Sequence, residues 1–164
     1  MNDDEPMMAD TIQDLSRPEH LLVWALRAIA VGHDDCPLLG QTFERACGPL
    51  GDQAFGAYCI VVKTIGMIGR RRLRVHVPGC PCVSLDEKAI VGVIAAAQQS
   101  LAQGDETLLR LRLQFLVEAA PAESLIFAAQ AVARIMDAGG CHLPTAVAPR
   151  PAWPGGRSRL ATVH

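Results

Sequence analysis

The chain has 164 residues, enough for one domain with length left over for tails. Half are apolar and 4% aromatic, so the core must come from Leu, Ile, Val and Ala, which suits packed helices better than a β-sandwich. A formal net charge of -2 gives no global attraction to nucleic acid or to an anionic membrane.

The start, MNDDEPMMADTIQD, is acidic, whereas a secretory signal needs a basic start and then an apolar run. Residues 1–14 therefore read as a disordered lead, residues 15–143 as one helical domain and the Pro- and Gly-rich 144–164 as a disordered tail. Ser16-Arg17-Pro18-Glu19 fits a capping box with proline in the first turn, and LLVWALRAIAV continues it as a helix that stops at Gly32. His33-Asp34-Asp35-Cys36-Pro37 is a loop in which Asp34 or Asp35 can cap a second helix, running to about Ala46 before the Gly48-Pro49 break. A third helix spans about Asp52 to Ile68, with Phe55, Cys59, Val62, Ile65 and Ile68 as its buried stripe.

The period then changes. Leu73, Val75 and Val77 alternate with Arg72, Arg74 and His76, which predicts a short extended segment over about 72–77. Its backbone needs a partner, such as the stretch after Cys141 or another chain. Ser84-Leu85-Asp86-Glu87 is a second capping box, opening a helix to about Ala102. A fifth helix opens at Asp105 and ends at Pro121, and a sixth runs from about Ala122 to Ala138 and stops at Gly139-Gly140. The expected fold is an all-α compact bundle of about six helices.

No apolar stretch escapes interruption by Lys63, Gly66 or Arg110, so none approaches the roughly 18 residues of a membrane span. The expected setting is cytoplasmic, where six cysteines are thiols or ligands and not a disulfide framework. Cys47 and Cys59 fall inside apolar helical patterns and read as small core residues. Cys36, Cys80, Cys82 and Cys141 fall in loops or at helix ends, with His33 at H-x-x-C spacing from Cys36 and His142 beside Cys141.

Three readings of these loop cysteines stand side by side. They supply ligands for zinc or an iron–sulfur cluster, with Cys141 or His33 completing the set of Cys36, Cys80 and Cys82. Alternatively they are reactive thiols, because Cys36 and Cys82 each lie just ahead of a helix N-terminus that favours a thiolate. In the third reading they flank turns and do nothing further.

Arg70, Arg71, Arg72 and Arg74 form the single basic cluster, a candidate phosphate or nucleic-acid contact. It lacks interleaved aromatics for base stacking, so the expectation is a solvated edge. His33-Asp34-Asp35 has the residue types of an oriented imidazole, but helix capping accounts for both aspartates. Arg110 and Arg112 fall on the polar side of the fifth helix. Phosphate-loop, zinc-protease and nucleophile-elbow signatures are absent, and no nucleophile, base and orienter lie together.

The stretch GRRRLRVHVPGCPCVSLDEKAIVGVIAAAQ resembles a small bacterial helical family of about this length. In that family a Gly-Arg-Arg strand leads to Pro-Gly-Cys, an Asp-Glu helix start and an Ala-Ala-Ala-Gln helix. The likeness spans about residues 20 to 140. It implies a helical fold and carries no catalytic residues, and the second cysteine of C-x-C departs from the pattern. The expected function is a binding or regulatory module, whose Ala- and Gly-rich helix faces suit a homo-oligomer or another protein as partner.

Overall fold

A computed structural model describes residues 10–145. Six helices make up the fold: α1 (Arg17–Ala30), α2 (Pro37–Cys47), α3 (Gly51–Ile68), α4 (Leu85–Gln103), α5 (Thr107–Leu116) and α6 (Glu123–Ala138). The all-α bundle expected from the sequence is what forms, and the described residues contain no named strand. Helix α6 packs on both α3 and α4, with α2 on α3, α5 on α4, and α1 across α3 and α4. The core is aliphatic apart from a cluster of Phe43, Phe55 and Tyr58, in which the Phe43 ring centroid lies 5.4 Å from that of Phe55 and 6.5 Å from that of Tyr58. Tyr58 is fully buried and donates its hydroxyl to the Leu22 carbonyl at 3.1 Å, so burying it leaves no polar atom unmet.

Local rules set the helix starts. The Ser16 N–H donates to Glu19 Oε2 at 2.7 Å, and the Ser84 N–H donates to Glu87 Oε2 at 2.8 Å, each with its reciprocal bond. Helix α2 differs from expectation: neither Asp34 nor Asp35 caps it. Pro37 supplies the fixed φ of the first helical residue, so the cap position falls to Cys36, which makes no side-chain cap bond. Asp34 pairs with Lys63 instead.

Helix α5 also ends before Pro121. Arg70 N–H donates to the Leu116 carbonyl and Glu118 N–H to the Ile68 carbonyl, both at 3.0 Å, and this pairing with the end of α3 pulls Val117 out of helical geometry and into the core. Residues 10–14, assigned by sequence to a disordered lead, are ordered. Ile12 N–H donates to the Pro81 carbonyl and Val83 N–H to the Asp10 carbonyl, each at 2.8 Å, and Ile12–Asp14 forms one 3-10 turn. Residues 1–9 and 146–164, the rest of the expected lead and tail, lie outside the described residues.

The extended segment is held by carboxylates, not by a strand. Arg74 N–H donates to Asp86 at 2.7 Å and His76 N–H donates to Glu87 at 3.0 Å. Both acids sit in the first turn of α4, are 4% and 0% exposed, and gain from the positive end of the helix dipole. Asp86 also takes both terminal nitrogens of Arg71, at 2.8 and 2.5 Å. Glu87 takes Arg27 Nε at 2.7 Å and a terminal nitrogen at 3.1 Å. Arg27 is 1% exposed, and its remaining donors reach the carbonyls of Cys80 at 2.6 Å and Cys82 at 2.5 Å. One guanidinium thus ties α1 to α4 and to the turn that precedes α4.

Burial pushes the Glu87 carboxyl up, but bonds from Arg27 and from the Ser84 and His76 N–H groups outweigh it and hold the group below its ordinary value. Bonds from Arg71 hold Asp86 down in the same way, against burial. A carboxylate lowered in the folded state stabilises above its unfolded pKa, and that stability is lost as pH falls through the folded value. Unfolding free energy should therefore hold at neutral pH and decline below about pH 4.5, the ordinary glutamate value. Arg27→Ala should lose roughly 3–5 kcal/mol, because it strands a buried charge. Arg71→Ala, removing a side chain that is 59% exposed, should lose about 1 kcal/mol or less. Urea denaturation of both variants at neutral pH checks the ranking, and equal losses would contradict it.

Candidate functional site

The cysteines that looked like ligands are distributed by other forces. At Cys80 and Cys82 the atoms that carry structure are the carbonyls, which Arg27 holds, while the N-terminal strand-like contact Thr11–Cys82 covers the other side. Cys36 sits at the mouth of α2, partly buried against the core. Cys141 is drawn elsewhere. Gln98, buried in α4, donates to the Cys141 carbonyl and accepts from the Leu143 N–H, both at 2.8 Å, which clamps the chain after α6.

That clamp sets Cys141 Sγ 3.7 Å from Cys47 Sγ and 3.1 Å from the Ala46 carbonyl. The close approach needs Gly139, since a Cβ there would lie 2.4 Å from the Cys47 carbonyl oxygen. Among the described residues, no three His, Cys, Asp or Glu side chains are grouped so as to hold a metal ion. His33 is exposed and contacts no carboxylate among them.

Cys47 was legible only as a core residue, which it also is, at 4% exposure. Burial first, then the neighbouring Cys141, push its thiol up to about 12, so it is protonated at neutral pH. Burial likewise raises Cys59.

The basic cluster is partly used up by the fold. Arg71 is paired to Asp86 and Arg70 Nε donates to the Gln114 carbonyl at 3.1 Å, while the Arg72 and Arg74 guanidinium groups make no bond to a described residue. The four side chains do not form one phosphate fork.

A cleft of about 750 Å³ lies beside the thiol pair, within the usual size of small-molecule sites. One face of α1 contributes Arg17, His20 and Trp24, helix α2 contributes Thr42 and Arg45, and Cys141 closes the end. No carboxylate lines it, and neither arginine is bonded to a described residue. Trp24 stays 36% exposed in a protein with few aromatics. Comparison with protein-family models, with curated proteins and with solved structures finds no match. No described helix is long and apolar enough to cross a membrane.

If the C-x-C thiols carry no structural role, Cys80→Ser and Cys82→Ser should leave stability within about 0.5 kcal/mol, as for surface changes. Urea unfolding of each variant checks this, and a loss of several kcal/mol from either would show that the sulfur itself matters.

Proposed function

We propose that this chain is a cytoplasmic helical binding module that takes a small anionic molecule with an apolar or aromatic body. The supporting observation is the cleft between α1 and α2, where Arg17, His20 and Arg45 surround an exposed Trp24 with no acid among the lining residues. Guanidinium groups match carboxylate or phosphate oxygens, and an indole face takes the apolar body.

Phenyl phosphate is a suitable probe, with Trp24 fluorescence as the readout in a Trp153→Phe background. Quenching should saturate, and the double variant Arg17→Gln, Arg45→Gln should weaken binding at least about tenfold, the loss of about one charged hydrogen bond. Linear quenching, or saturation untouched by the double variant, contradicts the proposal.

A second reading, redox sensing, is favoured by the 3.7 Å separation of Cys47 and Cys141. Oxidised glutathione would be attacked by Cys141, releasing one glutathione. Cys47, on losing its proton, would then attack the mixed disulfide and release the second, so the two electrons and two protons lost by Cys141 and Cys47 end on the two glutathione thiols. The high Cys47 value makes the closing step slow at neutral pH and faster in alkali. Mass spectrometry at about pH 9 should show the intact chain minus two hydrogens, with Cys47→Ser stopping at the mixed disulfide. Glutathionylation of Cys141 without closure in the unmodified chain would rule this reading out.

A further inference from the structure

Arg112 lies on α5, on what the sequence marks as a polar face, yet it is half-buried. Its guanidinium rests on α4 at Gly92, where an added Cβ would lie 2.7 Å from a terminal nitrogen. Its Nε is buried without a hydrogen-bond partner, the only such side-chain nitrogen or oxygen among the described residues. No carboxylate among them pairs with it: Glu19, which lines the same cavity, is engaged with the Ser16 N–H, while Asp86, Glu87, Glu106 and Glu123 are engaged with other arginines. A guanidinium stays protonated at any physiological pH, and a buried charged donor left unmet is costly, so the arrangement calls for an anion.

The space beside it narrows the anion's chemistry. Arg112 lines a cavity of about 270 Å³ on the face of α1 opposite the Trp24 cleft. Its walls are largely aliphatic, from Val23, Val83, Ala89, Ala95 and Leu143, and Lys88, which pairs with Asp10, also lines it. At roughly 30 Å³ per water-sized group, it holds on the order of nine such groups. That volume fits a short alkyl chain ending in one planar acid, and a second pocket of about 280 Å³, lined by Leu108, Leu111 and Phe115, lies on Arg112 as well. A guanidinium presents Nε and a terminal nitrogen as a fork that a carboxylate matches with two parallel bonds, and because Nε is buried here the guanidinium must turn toward the cavity to offer both.

We propose that Arg112, Gly92 and this aliphatic cavity form a binding site for a short- to medium-chain alkyl carboxylate. The site is separate from the cleft and stands or falls without it. Gly92 is required because a methyl group there would displace the guanidinium.

Titration calorimetry of the full chain with hexanoate and octanoate tests this, with hexanol as the control that keeps the tail and lacks the acid. One-to-one saturable binding of the acids, at least about tenfold tighter than hexanol, is expected, a tenfold ratio corresponding to ~1.4 kcal/mol. Measured in an Arg17→Gln, Arg45→Gln background, which takes away the arginines of the Trp24 cleft, Arg112→Met and Gly92→Ala should each weaken hexanoate at least about tenfold. In the unmodified protein, the Arg112 Nε–H resonance should shift and its exchange with water slow on adding hexanoate, which does not depend on how the variants fold. No saturable binding up to about 10 mM, equal affinity for hexanol, or an Nε–H signal that does not respond would overturn the proposal.

Discussion

The buried pair of Arg27 and Glu87 is the interaction on which the organisation of this protein depends. Aliphatic packing makes helices associate, but it does not specify how the irregular stretch between α3 and α4 should lie. That stretch pairs with other backbone at its two ends, at Gly69-Arg70 and around Cys82, and the groups between them would be left unmet against the bundle. Glu87 meets the N–H groups of Ser84 and His76, and Arg27 meets the carbonyls of Cys80 and Cys82. The charges compensate each other, and each uses its remaining hydrogen-bonding capacity to hold backbone. Asp86 repeats the device at the rim with Arg71 and Arg74.

This arrangement changes what the cysteine-rich turn means. Its shape follows from its carbonyls and its capping box, so the thiols are not needed to explain it. A second polar clamp acts at the other end of α4, where Gln98 fixes the chain after α6 and so brings Cys141 to Cys47 and to the edge of the Trp24 cleft. Helix α4 therefore carries ordering groups at both ends, while its middle, at Gly92, receives Arg112. The two cavities on opposite faces of α1 are by-products of these anchors: α1 is held by Arg27, leaving Trp24 outward and Val23 toward α4.

Much of the fold was legible because its signals are local. Ser16 with Glu19 and Ser84 with Glu87 are capping boxes whose partners stand three positions apart, and the glycine stop at Gly139 ends α6 where the pattern says. The site was much less legible, because its pairings cross the chain. Arg27 and Glu87 are 60 positions apart and Cys47 and Cys141 are 94 apart, and no periodicity links either pair. Asp34 illustrates the same limit, since its residue type suits a cap but Lys63, on another helix, takes it. Arg112 reads as a polar-face residue because amphipathic patterning treats an arginine as solvated, whereas a long guanidinium side chain, like that of Arg27, buries readily when backbone or an anion meets it.

The most direct measurement of the central account is native-state hydrogen exchange at the backbone N–H groups of Arg74 and His76. Both lie in a segment without regular secondary structure, where amides ordinarily exchange quickly. If Asp86 and Glu87 hold them, their exchange should be as slow as that of buried α4 amides, and Arg27→Ala should release His76 while leaving α6 protected. Fast exchange at Arg74 and His76 in the unmodified protein would contradict the account, because it would mean that the buried acids do not organise this stretch.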